Sequence, residues 1–447
     1  MRVSGDGHGI IHAGAMTVAV PKTAKRSAWT NARLVCPATG MDRPGAVIVE
    51  DGVIADIGDI TPGENIQTYD CNNLILTPGF FDLRVRAGEP GEPEKEDISS
   101  AARAAASGGI TSLALMPDTS PVIDDAGGLA FVSNRARQER SAKIYAWASI
   151  TRGANGKELS DIGLLDEVGA IGFTDGDSPV ADTRLLARAM RYGRAFGVLF
   201  SGRPEDVSLA GGGVMNGGDL SGAMGLPGVP PMAELIGLER DLRLVEMTGA
   251  RFHVAQVSTA RAVEALRLAK SRGLSVTADT APQYFLKTER EVEGYRTFAR
   301  LTPPLRSESD RAAVEAAVID GTIDAVTSAH TPQDQESKRV PFSEARPGMV
   351  GLETLFSLSW SLVADGGMGM SALLGCLGCR PAAILGQVKS LERGRAADFA
   401  LLDVESRWVI DSGEFRSRSR NTLFDGEEVT GRVVRTWVDG RVVYKIN

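Results

Sequence analysis

The sequence predicts an α/β protein: a closed parallel (β/α)8 TIM barrel with a small β-sandwich domain formed by both termini. Three observations predict it. Eight short apolar runs alternate with amphipathic helical patterns through the middle of the chain. Polar residues stand at the C-terminal end of nearly every run, where a parallel barrel displays its chemistry. Both ends of the chain show apolar alternation around an Asp-Gly pair, a strong short-range hairpin signal. An open doubly wound sheet competes, but eight units with polar strand ends favour closure.

Residues 1–27 mix glycine and charge with one apolar patch at 15–20. They lack a sustained hydrophobic core of signal-peptide type and read as a tail. The β-domain takes residues 28–76 and 386–447, with hairpins at Asp51-Gly52 and Asp439-Gly440. The barrel takes 77–385. Its strands are expected at 79–85, 110–116, 142–150, 170–174, 197–201, 252–257, 274–278 and 323–328. Helical patterns lie at 97–107, 183–195, 232–248, 259–271 and 308–318. The glycine-rich stretch 210–228 reads as a flexible connection. The adjoining Ser208-Leu-Ala-Gly-Gly-Gly-Val-Met-Asn run lacks the lysine and Ser/Thr of a phosphate loop.

Composition bounds the function. The 447 residues are 43% hydrophobic and 24% charged, enough apolar residue for a large core and too much for disorder. Lys plus Arg total 49 against 57 Asp plus Glu, giving a net charge of −8, which argues against broad nucleic-acid binding. No apolar run reaches the ~18 residues of a membrane span. Four cysteines in so long a chain predict a reducing, cytoplasmic setting without a disulfide framework. Cys376 and Cys379 have redox or metal spacing but no second pair, and read as small helix residues near a turn.

The strand ends carry ordered motifs: Thr77-Pro-Gly-Phe-Phe-Asp82, Gly88-Glu-Pro-Gly-Glu-Pro-Glu-Lys-Glu-Asp97, Met116-Pro-Asp-Thr119 and Phe173-Thr-Asp-Gly-Asp177. Further along stand Gly225-Leu-Pro-Gly-Val-Pro-Pro-Met-Ala-Glu234, Thr302-Pro-Pro-Leu-Arg306 and Pro347-Gly-Met-Val-Gly-Leu-Glu353. From about residue 30 onward the chain resembles the dihydroorotase family of the amidohydrolase superfamily. That resemblance implies the same barrel-plus-sandwich fold and a metallo-dependent hydrolase ancestry.

The departures bear on chemistry. The resemblance implies one or two zinc ions on a His-X-His at strand one; here those positions are Arg84 and Arg86. The family's strand-five histidine aligns with Arg203, its strand-six histidine with Gln256 and its strand-eight aspartate with Ala329. The strand-four carboxylate persists as Asp175. Expected substrate-binding positions are also replaced, by Gly88, Asp118 and Thr302. A guanidinium stays protonated and has no lone pair to give a metal. The whole chain has four histidines, His8, His12, His253 and His330, the first two in the tail. A rebuilt zinc site could draw only on Asp175, His253, His330 and Asp279.

These residues set the expectations. No catalytic residue and no metal are expected, the vestigial positions being Arg84, Arg86, Asp175, Arg203, Gln256 and Ala329. The three arginines replace the metal charge, with Asp175, and Asp118 or Asp177, as counter-charges, because an unpaired buried charge costs several kcal/mol. Asp175 beside three arginines should have a depressed pKa. Arg84, Arg86, Arg203, Asp118 and His330 form either a closed ionic network or an anion pocket. The resemblance to metal-ligand-lacking, non-catalytic members implies an oligomeric assembly subunit of aspartate carbamoyltransferase in pyrimidine biosynthesis. The alternative is an active dihydroorotase or related zinc-dependent cyclic amidohydrolase with a rebuilt site.

Overall fold

The computed structural model describes residues 26–63 and 66–446. Five strands open the chain: β1 (Arg26–Cys36), β2 (Met41–Glu50), β3 (Val53–Gly58), β4 (Gln67–Asp70) and β5 (Ile75–Pro78). The barrel region holds β6 (Phe80–Val85), β7 (Ile110–Leu115), β8 (Lys143–Ala146), β9 (Leu199–Gly202), β10 (Met215–Asn216), β11 (Gly228–Val229), β12 (Arg251–Val254), β13 (Val276–Thr280) and β14 (Ala325–Val326). The chain ends with β15 (Phe399–Val409), β16 (Glu428–Val438) and β17 (Arg441–Lys445). The fold is a TIM barrel with a β-sandwich to which both chain ends contribute.

In the terminal sheet the order is β17-β16-β15-β5-β1-β2-β3, with β4 beside β1. The two chain halves join where β15 runs antiparallel to β5, Leu401 opposite Leu76. Trp29, Phe399 and Trp437 fill its core edge to face, with ring centroids 5.3 and 5.7 Å from Trp29. Asp51 and Asp439 take positive φ at their hairpin turns. The two turns also touch, since a Cβ on Gly52 would lie 2.9 Å from the Asp439 carbonyl oxygen. The expected tail at 1–27 needs correction at its end: Arg26 and Ser27 open β1 opposite Glu50 and Val49. Residues 1–25, with His8 and His12, lie outside the described residues.

The barrel closes through parallel ladders and bridges. β6, β7 and β8 form one run; β9, β12, β13 and β14 form another. The expected fourth strand is reduced to bridges from Phe173 to Ala148 and Phe200, and the Trp147 ring packs over the neighbouring Gly172. Val85 bridges His330 in parallel, and the Arg86 amide donates to the His330 carbonyl at 2.9 Å, completing the ring. Residues 210–228 are not a loose connection. Short helices Val207–Ala210 and Asp219–Met224 flank the β10–β11 pair. Arg306 pins this excursion by donating to Asn216 Oδ1 (2.9 Å) and the Val229 carbonyl (2.8 Å).

Candidate active site

Arg84 and Arg86 lie at the C-terminal end of β6 and just beyond it, so both reach the barrel mouth. Arg84 is buried, and its Nη2 meets Asp177 Oδ1 at 2.5 Å. Arg86 grips Asp118 through Nε (3.1 Å) and Nη2 (2.6 Å), reaches Asp177 at 3.0 Å and donates to Thr331 Oγ1 at 3.0 Å. Arg203, just past β9, forks onto Glu205 at 2.7 and 3.1 Å and donates to the Asp177 carbonyl at 2.8 Å. Three guanidinium groups thus meet three carboxylates, Asp118, Asp177 and Glu205. Burial works to raise Asp177, but Arg86, Arg84 and Arg203 together hold its carboxyl well below the usual range. Among the described residues, Arg84 Nε, Arg203 Nε and Gln256 Oε1 face no protein hydrogen-bond partner.

Asp175 departs from expectation. Among the described residues no guanidinium pairs with it. It accepts hydrogen bonds from Ser149 Oγ (2.6 Å), the Thr151 amide (2.9 Å) and Thr151 Oγ1. Burial outweighs these bonds and pushes its pKa up, not down. The cause is the turn between the two aspartates. Gly176 has φ +68°, and a Cβ there would stand 2.3 Å from Asp118 Oδ2. This left-handed step sends Asp175 toward Ser149 and Thr151 and Asp177 toward the arginines.

Of the residues of a rebuilt metal site, His253 and Asp279 meet, but among the described residues no third member joins them. His253 spends Nδ1 on Thr277 Oγ1 (2.8 Å) and Nε2 on Asp279 Oδ2 (2.9 Å). Asp279 also accepts the Gln256 amide at 2.8 Å. Gln256 and Ala329 both take positive φ, 56° and 48°. His330 lies 3.4 Å from buried Glu96 and accepts the Gly351 amide at Nδ1 (3.3 Å). Among the described residues no group of three or more His, Cys, Asp or Glu is arranged to hold a metal ion. Catalytic zinc asks for three such ligands and an open position. The donor set at this mouth does not fit it.

Sequence reasoning missed Glu205, Thr331 and Glu96. Glu205 stood two residues from Arg203, and that spacing was the available signal. Gly88, expected as a lost arginine, has a backbone reason. A Cβ there would lie 2.1 Å from the Glu92 carbonyl oxygen, because the 88–96 loop folds tightly back on it. Among the described residues no helix is long and apolar enough to cross a membrane.

Known proteins match this architecture. The family described as Dihydro-orotase-like matches residues 73–262. A protein named dihydroorotase from Syntrophotalea carbinolica is 40% identical over 419 residues, 94% of this chain and 99% of that one. Another of that name from Citrifermentans bemidjiense is 39% identical over 92% of this chain and 98% of its own. The solved L-hydantoinase from Arthrobacter aurescens superposes with a TM-score of 0.84 at 25% identity, covering 94% and 96% of the two chains. Dihydropyrimidinase from Brevibacillus agri gives 0.80 at 19% identity, covering 94% and 95%, and so shares the fold. With its sequence and its architecture each matched over 94% of its length, the chain belongs to the dihydroorotase-like family of the amidohydrolase superfamily.

Proposed function

We propose that this chain is a cytoplasmic protein of pyrimidine biosynthesis that has exchanged catalysis for assembly, acting as a structural subunit for aspartate carbamoyltransferase. One observation supports the reading: the arginines that the resemblance puts at the family's ligand positions pair with three mouth carboxylates, Asp177, Asp118 and Glu205. Amide ring opening needs an activated water and a stabilised oxyanion, which zinc supplies in this superfamily. A general base must also be free to accept a proton. Asp177 is held ionised by three arginines, and Asp175 is enclosed by Ser149 and Thr151. Charge matching at the mouth favours a closed ionic network over an anion pocket. The assembly role follows the resemblance to ligand-lacking family members.

The test is co-expression with aspartate carbamoyltransferase, followed by size-exclusion chromatography and assays of both activities. The transferase is expected to elute in a larger complex, and dihydroorotate turnover to stay at background after zinc loading. A transferase unchanged in size and activity by this chain refutes the assembly role. The second reading, an active cyclic amidohydrolase, rests on the 40% identity to a protein named dihydroorotase. Stoichiometric zinc with turnover would establish it.

A further inference from the structure

We infer that Arg300 and Lys338, in the two loops that leave β13 and β14, bind a doubly charged oxyanion: phosphate, free or as a monoester. The first loop carries the turn Thr297–Ala299 and the second the turn Glu336–Lys338. The two are laced together. Thr297 Oγ1 donates to the Lys338 carbonyl (2.7 Å), and Lys338 Nζ donates back to the Thr297 carbonyl (3.3 Å). The Arg300 amide donates to that same carbonyl at 3.1 Å. One turn therefore holds both cations. Lys338 is 4% exposed, and Arg300 is half-buried beside it.

The charges identify the occupant. Among the described residues neither cation joins an ion pair, and no carboxylate acts on the charge of either. The mouth differs, since its three arginines share three carboxylates. The donors are also underused. An ammonium has three N–H groups. Lys338 spends two, on the carbonyls of Thr297 and Arg346 (2.6 Å). The Arg300 guanidinium makes one long bond, Nη1 to the Leu301 carbonyl at 3.4 Å, and among the described residues its buried Nε faces no protein partner. Unspent donors on two cations fit the acceptors of an oxyanion, and two positive charges without a counter-charge call for a dianion. Burial, and after it the Arg300 charge, bring the Lys338 pKa down to about 7. A bound dianion reverses that pull, so binding above about pH 7 takes up a proton and weakens as pH rises.

Isothermal titration of the full-length protein tests this. Sulfate is the first probe, because it is a dianion with no proton to exchange near neutrality. One sulfate per chain is expected, with a dissociation constant of about 1 mM or tighter, in a chloride background of constant ionic strength. Its affinity should fall about eightfold between about pH 7.5 and 8.5, the slope of one coupled proton. Arg300→Gln should weaken binding at least about tenfold, the worth of one charge-assisted bond. Lys338→Met should weaken it as much and flatten the pH slope. A thermal melt checks folding; if Lys338→Met fails to fold, Arg300→Gln, which gives up only one long protein bond, still decides. Inorganic phosphate and glycerol phosphate then separate the sources. Equal affinity admits a monoester, and an ester at least about tenfold weaker identifies the free ion. No heat from sulfate or phosphate above the chloride background overturns the inference. So does a pH-independent sulfate affinity, or binding that Arg300→Gln leaves intact. None of these titrations contains transferase, so their outcome is separate from that of the assembly role.

Discussion

Each end of the barrel buries an ionic cluster, and the two are made from different cations. At the N-terminal end Lys143 and Lys389 each approach Asp398 Oδ2 to 2.9 Å, Lys143 also reaches Asp439 at 2.9 Å, and Lys389 donates to Thr111 at 2.8 Å. At the mouth Arg84, Arg86 and Arg203 share Asp177, Asp118 and Glu205. A lysine that loses its partner can release a proton; a guanidinium cannot. The floor joins barrel to sandwich and keeps an electrostatic escape. The mouth has none, so its carboxylates must stay in place and charged. That fixed demand is the physical difference between a joint and the barrel mouth.

The largest effect should come from removing the hub of the mouth. Asp177→Asn leaves Arg84 and Arg86 short of a counter-charge they cannot shed, and the loss should be about 3–5 kcal/mol in urea unfolding. Because no arginine titrates, the deficit should stay flat from about pH 6 to 10. Asp398→Asn should behave otherwise. Burial already lowers the Lys389 pKa, against the pull of Asp398. With Asp398 neutral, that lowering deepens. The unfolded state then binds more protons than the folded one over the alkaline range, so stability rises with pH. The deficit should be about 2 kcal/mol near pH 7 and shrink toward pH 10. A flat Asp398→Asn deficit, or a sloping Asp177→Asn one, would break the comparison.

Acid separates the two ends from the rest of the core. Burial acts to raise Asp398, but Lys389 and Lys143 bring it down to about 2. Its contribution is complete above an unfolded pKa of about 3.9 and fades as pH falls toward 2, on the order of 2 kcal/mol. Asp82 has the opposite sign. Fully buried beneath the mouth, it is pushed up to about 6 by desolvation, against the Ser328 and Arg84 amides. The folded state binds its proton first, so Asp82 adds stability as pH falls from about 6 to 4. Equilibrium unfolding across pH 2–7 checks both slopes: Asp82→Asn should reduce the gain between pH 6 and 4, to which buried Asp241, also pushed up to about 6, still contributes, while leaving the loss below 4.

The barrel and its flanking sheet were legible because each rests on local periodicity. The 79–85 run becomes β6 (Phe80–Val85), and both Asp-Gly pairs become hairpin turns. The 170–174 run was only half legible: its neighbours across the ring, Ala148 and Phe200, hold it in place by single bridges. At the mouth, residue identity disclosed three arginines at the strand ends. It did not disclose which aspartate answers them. Asp175 and Asp177 differ by two positions, and a left-handed glycine between them decides the matter. Glu96 was similarly hidden. It meets His330 across 234 positions of chain, a distance no local pattern spans.

The smallest expected effect asks whether the mouth needs positive charge alone or the guanidinium shape. Arg86 spends Nε and Nη2 on Asp118, Nη2 on Asp177 and Nη1 on Thr331, so one planar group ties β6 to three other strand ends. Arg86→Lys keeps the charge and leaves one ammonium to choose among those partners. The fork is lost, and with it about 1–2 kcal/mol, the worth of a charge-assisted bond. A double-mutant cycle with Asp118→Asn locates the loss. If shape matters, coupling between residues 86 and 118 should fall by at least about 0.5 kcal/mol when lysine replaces arginine. Undiminished coupling would mean that net charge alone holds the mouth, and that the floor and mouth differ only in whether their cations can be discharged.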